Sequence, residues 1–296
     1  MGLFDWFRKK ETKELGSKSE IAVIYTLDMI KKVMDGLRRD TEKPVIRIQV
    51  NDNPVGLTNS KFGRLPYIPK NAEVPKDASG RQLRLLAQIR LEELPKNDIF
   101  MPKGIMQFWA LDDDATGLDF DDVTSQKGSR VTFYDEIDPS VTEQEVLEKY
   151  QPYCEGESYF PVQNTFSLAF TLEKEGMSTN DYRFDTMFTK RWNEAYPQSK
   201  IKSYFDLPQE LTEDMYNEVS GFGHKLGGYP AFTQEDPRDV SNRYSDHQIL
   251  LLQIDSIGTK AHEIMWGDSG ICNFFITEQA FKERDFSKAI YNWDCY

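Results

Sequence analysis

The side chains with the widest chemical range gather in one late region of the chain. His224, Tyr229, Gln234, Asp236, Arg238, Gln253, Asp255, Trp266 and Asp268 bring together an imidazole, carboxylates, a guanidinium, amides and aromatic faces. Such a set can recognise a polar small ligand or a basic protein segment. It also holds the minimum for proton transfer, with His224 as general acid or base and Asp268 or Asp255 assisting. The glycine-rich stretch "GFGHKLGGYPAFTQEDPR" (221–238) that carries five of these residues reads as a loop, where scaffolded function concentrates. The same stretch has a purely structural reading: glycines take positive φ, prolines fix turns, and "QEDPR" becomes an Asp-capped turn with an Arg–carboxylate pair.

Other suggestive patterns fail on their missing partners. "GDSG" (267–270) resembles a serine-protease nucleophile segment, but all three histidines, His224, His247 and His262, fall shortly before Ser269 in the wrong context, and Ile271 breaks a GxSxG elbow. The segment is expected to be a strand-entry turn, with Asp268 accepting backbone N–H bonds and Gly270 strained. "DDDATGLDFDDV" (112–123) offers oxygens at Asp112, Asp114 and Thr116 with a glycine at 117, yet Val123 stands where a calcium loop needs a bidentate Glu. It reads as a solvated acidic loop. His and Cys never fall at ligand spacing, so the sequence predicts neither metal nor cofactor.

These residues need elements to hold them. A helix is expected from Ser19, with Ile21, Ile24, Leu27, Ile30, Met34 and Leu37 on one face, and others at "SVTE" (140–143), at "DLPQELTEDMYNEV" from Asp206 and at "TEQAFKERDF" from Thr277. "VIRIQV", "LRLLAQIRL", "GIMQFWAL", "RVTFYDEI", "ILLLQIDS", "GICNFFI" and "KAIYNWDCY" read as strands. Two series keep the same order at nearly equal intervals. Pro66, Gln88, Gln107 and Gly104 of the first answer to Pro230, Gln253, Asn273 and Gly270 of the second. An α+β fold is predicted, with mostly antiparallel sheets from an internal duplication of a β-rich unit and with peripheral helices. The copies are placed at about 40–139 and 220–296, joined by a helical connector (140–219), in one domain over 19–296. The repeated amides should find partners inside the fold.

"GRLPY", "LLAQI", "KGIMQFW", "HKLGGYPAFTQEDPR", "LLLQIDS", "MWGDSGICNFFI" and "RDFSKAIYNWDCY" resemble, in order, the YwqG-like family of bacterial proteins, whose doubled glycine in the first loop appears here as Gly63 and Arg64. The resemblance implies an α+β fold with an internal duplication. It carries over no activity and no catalytic residue.

Composition narrows the function classes. The 296 residues carry a net charge of −13, a field that disfavours nucleic acid and favours a basic partner. No apolar run reaches membrane-spanning length, no secretory signal opens the sequence, and Cys154, Cys272 and Cys295 suit reduced thiols, so a cytoplasmic location is expected. The amphipathic start "MGLFDWFRKK", within a tail at 1–18, allows weak membrane-surface contact. The combined expectation is a binding or interaction protein, a regulatory or immunity-type adaptor, with an enzyme acting on a polar small molecule as the alternative.

Overall fold

The computed structural model describes residues 25–152, 158–239 and 243–296. The amphipathic start, Ile21, Ile24 and Cys154 lie outside them. The first described helix, α1 (Leu27–Asp40), begins later than the apolar spacing suggested, because Thr26 is extended and its hydroxyl accepts the Met29 amide at 3.3 Å, a side-chain N-cap. Ile30, Val33, Met34 and Leu37 form its buried stripe, and Arg38 and Arg39 sit at the negative end of the helix dipole.

Among the described residues ten strands follow in one sheet: β1 (Lys43–Asn51), β2 (Lys61–Phe62), β3 (Arg84–Arg90), β4 (Ile105–Ala110), β5 (Ser129–Tyr134), β6 (Phe166–Glu175), β7 (Lys225–Gly227), β8 (Ile249–Asp255), β9 (Ile271–Ile276) and β10 (Ile290–Asp294). Their spatial order is β10-β9-β8-β7-β1-β6-β2-β3-β4-β5, and the paired strands are antiparallel. Phe108 in β4 and Phe274 in β9 stand far apart in that order, yet their rings are 5.0 Å apart. The sheet therefore wraps on itself, and its inner face closes around one apolar core that takes residues from both ends of the order. An α+β fold with an antiparallel sheet is the result.

The two arms of the sheet match in detail about the central β1–β6 pair. β3 and β8 each carry a register shift that begins one residue after the strand starts, at Leu85/Ala87 and at Leu250/Leu252. Gln88 faces Gln107 across β3–β4, and Gln253 faces Asn273 across β8–β9. Gln88 Oε1 accepts the Tyr67 amide at 2.7 Å while its Nε2 donates to the carbonyls of Leu57 and Asn59. Gln253 Oε1 accepts the Ala231 amide at 2.8 Å while its Nε2 donates to the carbonyls of Gly221 and Gly223. Gln107 and Asn273 complete the correspondence by donating to the Tyr67 and Ala231 carbonyls. Each buried amide thus anchors an incoming loop onto its strand, which satisfies donors and acceptors that neither loop could pair alone.

Two expectations need correction. The 140–219 segment is not helical throughout, because it holds β6, a ten-residue strand of which nine residues pair with β1. The capping box is shifted two residues from the expected Ser140–Glu143 pair, on α2 (Glu143–Leu147), where Thr142 accepts the Glu145 amide and Glu145 accepts the Thr142 amide at 2.8 Å. Ser140 is taken instead by the turn, its amide bonded to Asp138.

A helical layer packs beside the sheet. α3 (Phe184–Ala195) and α4 (Gln209–Glu218) join α1 through a second core of Phe184, Phe188, Trp192, Tyr204 and Met215 against Ile30, Met34 and Leu37. α5 (Glu278–Glu283) closes the β9–β10 connection and ends on Arg284 in the left-handed region. Among the described residues no helix is long and apolar enough to cross a membrane.

Candidate binding cleft

The nine candidate residues do not share one rim. They divide into a buried strand-end cluster, a turn at 266–268 and a cleft between the sheet and the helical layer.

His224, Gln253 and Asp255 belong to the buried cluster. The Asp255 amide donates to His224 Nδ1 at 3.0 Å, which leaves Nε2 as the protonated nitrogen facing the Ile257 carbonyl at 2.7 Å. Burial pushes the imidazole below its ordinary pKa, against the upward pull of the Ile257 carbonyl and the Asp255 charge. The Asp255 carboxylate accepts the amides of Gly223 and Ser256, both at 2.7 Å. The side-chain polar atoms of the pair are thereby all taken by backbone groups, and two of these bonds, to the Asp255 and Gly223 amides, hold the 221–224 loop on β8.

Trp266 is buried, its amide bonded to Ser256 Oγ and its ring 6.0 Å from that of Trp293. Asp268 is exposed. The expected capping by Asp268 is replaced by a bond from the Gly270 amide to the Trp266 carbonyl at 2.7 Å. The positive φ angles fall on Gly267 and Ser269, while Gly270 is required for a different reason: a Cβ there would stand 1.9 Å from the Asp294 carbonyl oxygen. The acidic loop at 112–123 likewise spends its carboxylates on itself and its neighbours, Asp112 on Arg84 and Ser158, Asp113 on the Gly117 amide, Asp122 on Thr124. Among the described residues no group of His, Cys, Asp and Glu could hold a metal ion.

Asp236, Arg238 and Gln234 lie at the third place, together with residues the sequence did not single out. The turn at 233–239 is tied to the sheet end, since Asp294 accepts the Thr233 amide at 3.0 Å and the Gln234 amide at 3.2 Å. Behind it Arg238, 1% exposed, donates through Nε and Nη2 to Asp236 and through Nη2 to Asp181. Arg183 grips Asp181 with both Nε and Nη2, at 2.7 and 2.8 Å. Burial works to raise the Asp181 pKa, but the Arg183 hydrogen bonds and the charges of Arg238 and Arg183 outweigh it and hold the carboxyl below its usual range. Arg238 also stacks on Phe275, 4.4 Å from the ring centre. Tyr229 lies beside this network, its hydroxyl donating to the Thr41 carbonyl at 2.7 Å and its amide to Glu175 Oε1 at 2.5 Å.

In front of the network opens a cavity of about 470 Å³ between the 179–185 turn, the 234–239 turn and the α3–α4 connection. Asp181 and Asp236 form its floor, already matched by their arginines. Its rim carries Asp185, Glu235 and Asp239, of which the last two are exposed. Phe205 and Tyr216 make a wall, rings 6.1 Å apart, and Phe205 is 71% exposed despite its size. An aromatic wall beside carboxylates that no arginine among the described residues pairs with offers a cation both a π face and a counter-charge.

A family model described as a domain of unknown function (DUF1963) matches residues 60–295. No curated protein matches the chain.

Proposed function

The chain belongs to the DUF1963 family, a domain of unknown function, and on that premise we propose that it is a binding protein whose cleft takes a cationic group, such as a lysine or arginine side chain of a basic partner. The observation that carries this reading is the exposed Phe205 facing the rim carboxylates Glu235 and Asp239 across an open cavity. The net charge of −13 would steer a basic segment toward it. An acid–base role for His224 is less well supported, because both ring nitrogens are occupied by backbone groups. Within the same reading we place the likeness to YwqG-like proteins, a cytoplasmic adaptor role, and descent of the two sheet arms from one duplicated unit, which the matching bonds of Gln88 and Gln253 support.

The test is titration calorimetry with a hexalysine peptide and with spermine. Saturable binding should weaken as sodium chloride rises from about 50 to 300 mM. Glu235→Gln with Asp239→Asn should weaken it by about three- to tenfold, and Phe205→Ala by about two- to fivefold, given exposed ion pairs and a surface cation–π contact. Failure of both probes to bind, or binding untouched by these substitutions, sinks the reading.

A further inference from the structure

Three lysines have lost much of their ordinary basicity, and their surroundings separate them. Lys61 is buried and donates to the carbonyls of Gly56, Leu57 and Leu65. Lys225 is buried on Glu175 at 3.1 Å. Lys43, at the start of β1, is partly exposed, and its ammonium makes neither a hydrogen bond nor a salt bridge to any described residue. It rests on the face of Tyr229, 3.8 Å from the ring centre. The guanidinium of Arg183 approaches the same ring at 5.9 Å.

The charges around it explain why the neutral amine is tolerated. Desolvation is the main cause that brings Lys43 to about 8; Arg183 and Arg238 push in the same direction, and Asp181 and Glu175 oppose them. Both opposing carboxylates are already engaged, Asp181 by the two arginines and Glu175 by Arg47 and Lys225. A neutral group at this position would relieve repulsion among Lys43, Arg183, Arg238 and Lys225 while keeping contact with the Tyr229 ring.

We propose that Lys43 is a covalent modification site that accepts acyl groups from activated acyl donors, esters or thioesters. The unprotonated Nζ attacks the carbonyl carbon, the tetrahedral adduct expels the alkoxide, phenolate or thiolate, an amide N–C bond remains, and the amine proton passes to water. The product is uncharged, which suits a place already crowded with cations. The site is independent of the cation cleft and stands or falls without it.

Acetylation of the full chain by p-nitrophenyl acetate, followed lysine by lysine by peptide mass spectrometry, tests this. At pH 7.5 about a quarter of an amine titrating at about 8 is free, against about a thousandth of an ordinary lysine. Lower basicity returns part of that advantage, so Lys43 should react about tenfold faster than the exposed Lys31 and Lys32 of α1, with a rate that levels off above pH 9. Tyr229→Phe should retain the preference. Lys43→Arg should remove it without changing the other lysines. Equal rates at Lys43, Lys31 and Lys32, or a Lys43 rate still climbing in parallel with theirs through pH 10, overturn the proposal. Because the wild-type protein gives the decisive comparison, a poorly folding variant does not blunt the test.

Discussion

Replacing Gln253 by Leu asks how much of the fold rests on one buried amide. Leucine matches the side-chain volume closely enough to leave no large cavity, so the loss is almost wholly polar. Three backbone groups lose their partner: the Ala231 amide, wholly buried, and the carbonyls of Gly221 and Gly223. An orphaned buried group costs about 1–3 kcal/mol, and the two carbonyls, nearer the surface, recover part of this from water. The expected destabilisation is therefore about 3 kcal/mol, a large share of the roughly 5–15 kcal/mol by which a domain is stable. Gln88→Leu orphans the Tyr67 amide and the carbonyls of Leu57 and Asn59, and it also takes an acceptor from Gln107 Nε2. It should cost as much or slightly more. Urea unfolding of both variants gives the comparison, with the midpoint falling by about 1 M or more if the slope is near 3 kcal/mol/M. A Gln253→Leu variant within 1 kcal/mol of wild type would refute the assignment of these amides as loop anchors. Widely different costs at Gln253 and Gln88 would refute their equivalence.

Gly228→Ala should lose about 3 kcal/mol or more, because a Cβ at φ +67° would stand 2.0 Å from Glu175 Oε1, on a carboxylate that Arg47, Lys225 and the Tyr229 amide all use. Arg64, the corresponding residue of the other arm, is exposed at φ +52°, so Arg64→Gly should be neutral or stabilise by up to about 1 kcal/mol in the same urea assay. Stability should rise from pH 8 to about 10: Lys61 and Lys225 release their protons near 8 in the folded chain, whereas unfolded lysines hold theirs to about 10.4, so over that window the unfolded state binds more protons. Above pH 10 the sign reverses, since burial keeps Tyr204 protonated to about 12 while unfolded tyrosine ionises. Urea midpoints measured from pH 7 to 11 should pass through a maximum, and a steady fall from pH 7 would contradict this account.

Strand patterning and the paired amides were legible in the sequence because both are local or repeat at fixed intervals. Gln88, Gln107, Gln253 and Asn273 stood out as polar residues inside apolar runs, and each is fully buried and bonded to an incoming loop. β6 was missed because it reads against its neighbours: Leu168, Phe170 and Leu172 alternate as a strand should, but most of its residues are exposed or half-buried and its end, "LEKE", looks like solvent-facing chain. α3 did announce itself, through Phe184, Phe188 and Trp192 at helical spacing, the signal that could have found it. The cleft was only half visible. Asp236, Arg238 and Gln234 lie in one turn, but Asp181, Arg183, Phe205 and Tyr216 come to them through tertiary packing, over separations that no local pattern encodes. His224 misled for a related reason, since a histidine in a glycine loop looks catalytic until both ring nitrogens are seen to serve the backbone.

The two arms of the sheet differ where the charges are, and this difference places the chemistry. Lys61 and Lys225 occupy matching positions opposite Gln88 and Gln253. In the first arm the lysine is satisfied by carbonyl oxygens of its own loop. In the second arm it is satisfied by Glu175, contributed by β6, and the close approach of that carboxylate forces the glycine at 228. Glu175 also receives the Tyr229 amide, which fixes the ring that carries Lys43 and lies beside Arg183. From Arg183 the chain of ion pairs runs through Asp181 and Arg238 to Asp236 on the cleft floor. The first arm's lysine is thus held by its own loop, while the second arm's is wired through Glu175 to the buried charges of the helical layer. Partial positive and negative charges held this rigidly form a fixed floor against which exposed groups at the rim can act without reorganisation. The cleft floor and the Tyr229 ring under Lys43 both lie along that path.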